Sequence, residues 1–172
     1  IYNLAVNATN SPMAQLVTNP LTVKNDVTIS GGTLNANGLT MNVGGNWTNN
    51  GTFTHGNGAV HFNGSGAQAI GGSSISSFFD IFFEVSSSVT GPAGNMNVAG
   101  NWTNNGSYIH NGGTVTFNGT TAQTIGGGAD TAFAHLTINN AAGVSLHRPA
   151  LVNNQLTLTN GLLTLGSNNL TM

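Results

Sequence analysis

Asn42-Val43-Gly44-Gly45-Asn46-Trp47-Thr48-Asn49-Asn50-Gly51 is the stretch whose reading decides the fold, because the chain says it twice. Asn97 to Gly106 reads NVAGNWTNNG, at an offset of 55 (101 − 46). The match continues without a gap: Val60, Phe62-Asn63-Gly64, Ala67-Gln68 and Ile70-Gly71-Gly72 recur as Val115, Phe117-Asn118-Gly119, Ala122-Gln123 and Ile125-Gly126-Gly127. Roughly two thirds of the positions from 42 to 72 equal their partners. Self-similarity at a fixed period of this size marks a repeat architecture, in which stacked units share one continuous core.

A second self-match joins the ends. Ile1-Tyr2-Asn3-Leu4-Ala5-Val6-Asn7 resembles Phe133-Ala134-His135-Leu136-Thr137-Ile138-Asn139, and Phe78-Phe79-Asp80-Ile81-Phe82-Phe83 is a third copy of that opening strand. Leu39-Thr40-Met41 likewise resembles Leu170-Thr171-Met172. The chain reads as one domain, 1–172, built of units 1–77, 78–132 and a truncated 133–172. The first two units differ in length by 22 residues (77 − 55), close to one turn of many β-solenoids. The segment around Leu21 to Met41 is the expected extra turn.

Local patterning agrees. Short apolar clusters such as Leu4–Val6, Val27–Ile29, Val60–Phe62 and Leu136–Ile138 alternate in period two, as half-buried strands do. Asn-Gly pairs and other turn signals separate them every 6 to 10 residues, and both residues tolerate the left-handed backbone of sharp corners. No helical period occurs. Antiparallel hairpins could use the same turns, but the unit-length difference and the recurring register favour a right-handed parallel β-solenoid. It should have about three short strands and about 20 residues per turn. On that reading Trp47 stacks in register with Trp102, Phe62 with Phe117 and Ile70 with Ile125. The expected core is Leu4, Val6, Val27, Ile29, Trp47, Phe62, Ile70, Ile81, Phe83, Val98, Trp102, Phe117, Ile125, Leu136, Ile138, Leu146, Leu156, Leu158 and Leu165.

Composition narrows function. Charged residues are 3% of the chain: Asp26, Asp80, Glu84 and Asp130 against Lys24 and Arg148. Two cations cannot follow a phosphate backbone, which argues against nucleic-acid binding. No apolar run approaches the ~18 residues of a membrane span. Cysteine is absent, so disulfides and thiolate metal sites are excluded. Four scattered acids give acid–base catalysis little to work with, and no catalytic residue is assigned. His55 and His110 are repeat partners and would stack only on adjacent turns, whereas His61, His135 and His147 lack histidine partners; convergent metal ligation is not expected. No cofactor is expected. Thr-x-Thr at 52–54, 114–116 and 157–159 evokes the threonine ladders of ice-binding solenoids, yet the repeat partners of Thr52 and Thr54 are Ser107 and Ile109.

The phrases VGGNWTNNGTFTHGNGAVHFNG, AQTIGG, FAHLTINNAAGVSL and LTLTNGLLTLGSNNLTM resemble repeats in very long secreted proteins of Bacteroidota. The resemblance covers essentially the whole chain. It implies β-solenoids at the cell surface, exported by type IX secretion, and hence an extracellular location. Asp130-Thr131-Ala132 resembles the short O-glycosylation motif of the same group, which makes Thr131 a candidate glycosylation site.

Two sets of contact residues follow. Repeat arrays need polar caps to stay soluble and monomeric, and both termini read instead as uncharged strands. Ile1, Tyr2, Leu4 and Val6 at one end are therefore expected to meet Leu163, Leu165, Leu170 and Met172 of the next copy, with Leu162–Met172 pairing with Ile1–Val6 or a neighbouring edge strand. Unsatisfied strand edges recruit other strands, and head-to-tail contacts that do not close give fibres. The partner is thus the chain itself, in an extracellular filament or surface stalk. Within a longer polypeptide the same contacts would be intramolecular. Phe79 and Phe82 point away from the core side of their strand and form a candidate lateral contact. The rival reading is an adhesin whose Asn/Thr/aromatic face contacts glycans or other surface proteins.

Overall fold

The computed structural model describes residues 1–7 and 13–172. Among them there is no helix, and every paired strand is parallel to its neighbours. Through most of the coil a strand pairs with the one three places further along the chain, so that three strands complete one turn; in the last turns two long strands each cover two of those places. The result is a β-solenoid of about eight turns with roughly 20 residues per turn. At ~4.8 Å per turn the coil is roughly 40 Å long.

The first face carries Leu4–Val6, Val27–Ile29, Trp47–Asn49, Ala67–Gly71, Ser88–Thr90 and Ser107–Ile109. The second begins with Met13–Gln15, Thr33–Asn35 and Thr52–Thr54 and resumes with Ser76–Phe78, Met96–Val98 and Thr114–Phe117. The third is one unbroken sheet of eight strands, from Leu21–Val23 to Leu163–Thr164. In the last turns the strands Thr131–Asn139 and Ala150–Asn160 bend round the corner between the first and second faces, with a register shift between Phe133 and His135. Leu170–Thr171 then returns to pair with Ala150 and Leu151.

Three-residue strands suit this geometry because their period of two leaves the outer residues inward and the middle one outward. Val27–Ile29, Met41–Val43, Val60–Phe62 and Ile81–Phe83 all show the pattern buried, half-buried, buried. At the corners the backbone must turn within a few residues. Gly72 and its repeat partner Gly127 sit at φ +115° and +120°, each with its Cα against the carbonyl of Asn49 or Asn104, where no Cβ fits. Asn37 and Asn57 take positive φ at the corner between the second and third faces.

The expected core is buried except at one edge of each terminal turn: Leu4 and Leu156 are half-buried, and Leu158 and Leu165 are exposed. Both tryptophans point inward. Leu21 and Met41, the bounds of the expected extra turn, are direct neighbours across one turn of the third face.

The expected stacking of repeat partners is overturned. Trp47 lies on the first face between Val27 and Ile70, whereas Trp102 lies on the third between Ile81 and Ile125. Phe62 is on the third face and Phe117 on the second, and Ile70 and Ile125 are separated likewise. The reason is arithmetic. The 55-residue repeat spans eight strand positions, or two and two-thirds turns of three, so each copy arrives rotated by one face. The three copies of the opening strand accordingly fall on three different faces: Leu4–Val6 on the first, Ile81–Phe83 on the third and Leu136–Ile138 on the second.

Candidate interaction surfaces

Inside the coil the repeat preserves a polar cassette that sequence patterning did not single out. The buried Gln68 amide donates from Nε2 to the carbonyls of Val43 (2.9 Å) and Gly45 (2.6 Å), and its Oε1 accepts from the Gly64 N–H (2.9 Å). Gln123 does the same with Val98, Gly100 and Gly119. Trp47 Nε1 donates to Ser76 Oγ at 3.0 Å and Trp102 Nε1 to Thr131 Oγ1 at 3.1 Å. Buried polar groups must be paired; the glutamines satisfy the corner carbonyls of Gly45 and Gly100 and add a second bond to those of Val43 and Val98, which already accept from the Asn63 and Asn118 N–H groups. The signal was present in the recurrence of Ala-Gln-x-Ile-Gly-Gly.

The acids serve the corners. Asp26 Oδ1 accepts the Asn46 N–H at 2.7 Å and Asp80 Oδ1 the Asn101 N–H at 2.6 Å. Asp130 pairs with Arg148 Nε at 2.9 Å in the open. Among the described residues no group of three or more His, Cys, Asp or Glu is placed to hold a metal ion. A cleft of about 410 Å³ between Gly71–Ser76 and Thr90–Asn95 is lined by Gly, Ser, Ala and Asn with Ile75 and Pro92, and no titratable side chain reaches it. His55 and His110 do not stack: His55 turns at the corner of the second and third faces, while His110 meets Asn153 Nδ2 through Nε2 at 2.6 Å.

Thr131 is corrected as a glycosylation site. It is 3% exposed, and its hydroxyl accepts from both Trp102 Nε1 and Asn104 Nδ2 (3.2 Å), so the folded chain offers no free oxygen there for a sugar. Asn7 begins an Asn-x-Thr triplet whose other two residues lie outside the described ones.

Phe79 and Phe82 are half-buried, and each is paired with an imidazole. Phe82 stacks on its ladder neighbour His61 with centroids 4.2 Å apart and planes 1° from parallel. His61 Nδ1 in turn meets Glu84 Oε1 at 2.6 Å. Phe79 leans over His55 at 5.6 Å. His55 Nδ1 accepts the Asn57 N–H at 2.9 Å, and burial holds its pKa below the ordinary histidine value. The sequence indicated that Phe82 points outward; the histidine beneath it became visible only once the turns were stacked.

The predicted end residues fall into two groups at opposite ends of the coil. Leu4 is half-buried and Val6 buried, while Ile1 and Tyr2 (68%) are exposed. At the other end Leu163 and Leu170 pack half-buried against the core, and Leu165 (37%) and Met172 (81%) are open. Leu158, whose ladder neighbour Ile138 is fully buried, is 55% exposed. The same inward columns that are dry in the middle of the coil thus open at both ends.

Comparison with protein-family models, with curated proteins and with solved structures finds no match. Function must be read from these surfaces alone.

Proposed function

We propose that this β-solenoid is a structural building block of an extracellular filament or cell-surface stalk, extended by axial stacking of its ends. The observation that carries the reading is the uninterrupted parallel coil, whose third face stacks eight strands in one sheet. Leu156, Leu158, Leu163, Leu165 and Leu170 are half-buried or exposed at one edge of that coil, and a further turn, from a second copy or from the same polypeptide, would cover them. Completing one leucine's burial contributes about 1.5–3 kcal/mol, and a continued ladder satisfies the free N–H and C=O groups as well. With two cations and four acids in 172 residues, little charge repulsion opposes that contact. The partner is a second copy of the chain, and the extracellular setting rests on the resemblance drawn from the sequence.

A second reading is favoured by the aromatic–imidazole patch. Phe82, His61, Phe79 and His55 gather at one side of the coil, where a glycan or a neighbouring surface protein could stack on the rings. An adhesin module would use this patch and a lateral bundle of filaments would use it too. An ice-binding role has less behind it: the outward column Ser77, Asn97, Thr116, Thr137 and Thr157 is hydroxyl-rich, but Asn97 interrupts its threonines.

Negative-stain microscopy of the purified 172-residue chain separates the readings. Long unbranched rods with a ~4.8 Å axial repeat in fibre diffraction are expected. Monodisperse short particles would remove the filament reading and direct attention to glycan screens on the patch.

A further inference from the structure

We propose that Asn111 is a self-modification site: its side-chain amide is lost to attack by the Gly112 backbone nitrogen, leaving aspartate or isoaspartate at the rim of the cleft of about 410 Å³. The inference rests on one corner inside the coil and is independent of how the coil is extended.

The chemistry needs only water. The Gly112 nitrogen gives up its proton and bonds to Asn111 Cγ; the Cγ–Nδ2 bond breaks, and ammonia leaves carrying that proton. Water then opens the succinimide ring at either carbonyl, to aspartate or to a backbone routed through the side-chain carboxyl. Glycine favours the attack because it has no Cβ to crowd the ring. Two conditions decide whether a given Asn-Gly pair reacts in a folded chain. The glycine N–H must be free of an acceptor, and the backbone around it must be able to move without opening the fold.

The chain has eight Asn-Gly pairs, and the coil ties down the other seven. Gly38 and Gly58 both donate their N–H to the His55 carbonyl, at 3.2 and 2.9 Å. Gly64 donates to Gln68 Oε1 and Gly119 to Gln123 Oε1, each at 2.9 Å within the buried polar cassette. Gly51 donates to Asn49 Oδ1 at 3.2 Å. Asn105 is held by its own side chain, whose Oδ1 accepts the Gly128 N–H at 2.9 Å, and a Cβ on Gly106 would strike the Glu84 and Ser87 carbonyls. Asn160 closes a ladder strand opposite Asn139, and Gly161 lies against the Asn140 carbonyl.

Asn111-Gly112 differs on each count. It lies in the corner between the strands Ser107–Ile109 and Thr114–Phe117, and both residues are exposed. Neither the Gly112 N–H nor the Asn111 side chain has a hydrogen-bond partner among the described residues. Gly112 stands at φ +79° with nothing within 4 Å of the place of a Cβ, so the corner has room to rearrange. The second repeat creates this site by transposition: His55-Gly56-Asn57-Gly58 recurs as His110-Asn111-Gly112-Gly113, which moves the asparagine away from the N–H that the His55 carbonyl holds in the first copy. Conversion takes the formal net charge from −2 to −3 (−2 − 1). It also gives the cleft its first carboxylate.

Ageing of the unaltered 172-residue chain at mildly alkaline pH tests this, with proteolysis and mass spectrometry to score each asparagine. In the folded chain Asn111 should convert at least about tenfold faster than any other Asn-Gly pair, because each of those must first open locally. In denaturant the eight rates should converge. Isoelectric focusing of the aged folded chain should show one new acidic band, and Asn111→Gln should remove it. A folded chain in which Asn57, Asn63 or Asn118 converts as fast as Asn111 would overturn the proposal. So would a lead for Asn111 that persists undiminished in denaturant, since the fold would then not be its cause.

Discussion

Trp47 and Trp102 sit in the same shell of rings and on different sheets. Trp47 meets Phe53 at 4.7 Å, Phe62 at 6.5 Å and Phe78 at 5.3 Å; Trp102 meets their repeat partners Tyr108, Phe117 and Phe133 at 4.7, 6.4 and 5.2 Å. The three rings have been carried round the axis by one face, and Trp102 gains a fourth, Phe83 at 4.7 Å, where the repeat partner is Thr28. A three-sided coil whose faces all pack against one core permits this, because the repeat preserves neighbours rather than absolute direction.

Trp47→Ala and Trp102→Ala should therefore destabilise alike. Each removes a fully buried indole and leaves a cavity, for which the expected loss is about 3–5 kcal/mol. Denaturant melts of the two variants should agree within about 1 kcal/mol, and a much larger gap would show that the two shells are not energetically equivalent.

Gln68→Leu should cost more than an ordinary change in side-chain polarity. It leaves the Gly45 carbonyl and the Gly64 N–H without their partner, while the Val43 carbonyl keeps the Asn63 N–H, and each unsatisfied group costs about 1–3 kcal/mol. Gln68→Glu adds a pH signature. A carboxylate facing the carbonyls of Val43 and Gly45 is disfavoured, so its folded pKa lies above the unfolded value of about 4.3. The folded state then binds the extra proton, and stability must fall as pH rises through that folded pKa. Thermal melts from pH 4 to 8 would reveal it; a Gln68→Glu variant insensitive to pH relative to the unaltered chain would contradict the burial.

Gly127→Ala and Gly94→Ala form a contrasting pair. At Gly127 a Cβ would strike the Asn104 carbonyl at a φ of +120°, so a loss above about 2 kcal/mol is expected. At Gly94 a Cβ meets nothing within 4 Å, and the loss of unfolded-chain entropy should leave stability unchanged or raised by about 0.5 kcal/mol. Melting temperatures of the two purified variants decide the matter.

His55 should make the chain weakly acid-sensitive. Its folded pKa is depressed by burial, so the unfolded chain takes up the proton first. Stability is then fully present above the unfolded value of about 6.5 and declines as pH falls through the folded pKa. His55→Gln should flatten the melting temperature between pH 7.5 and 5, with the other four histidines left in place as the control.

Phe82→Ala with His61→Ala should leave the coil and its axial assembly intact while abolishing side-by-side association. The rings stand on the outer surface of the third face, away from both ends. Light scattering and microscopy of equal concentrations would show single rods in place of bundles; unchanged bundling would remove Phe79 and Phe82 from the lateral contact.

Much of this protein was legible in its sequence. Period-two triplets such as Val60–Phe62 gave inside and outside, because side chains alternate along a strand wherever it lies. The 22-residue excess of the first unit located one whole turn, and the Asn and Gly clusters marked corners. What the sequence could not show is the rotational phase. Alternation distinguishes inward from outward and is blind to which of three equivalent faces a strand joins. That assignment depends on the summed length of every corner before it, and all corners carry the same Asn-Gly signals. The tertiary structure alone therefore decided that 55 residues make two and two-thirds turns, that His61 lies beneath Phe82, and that the Thr131 hydroxyl is turned inward against Trp102.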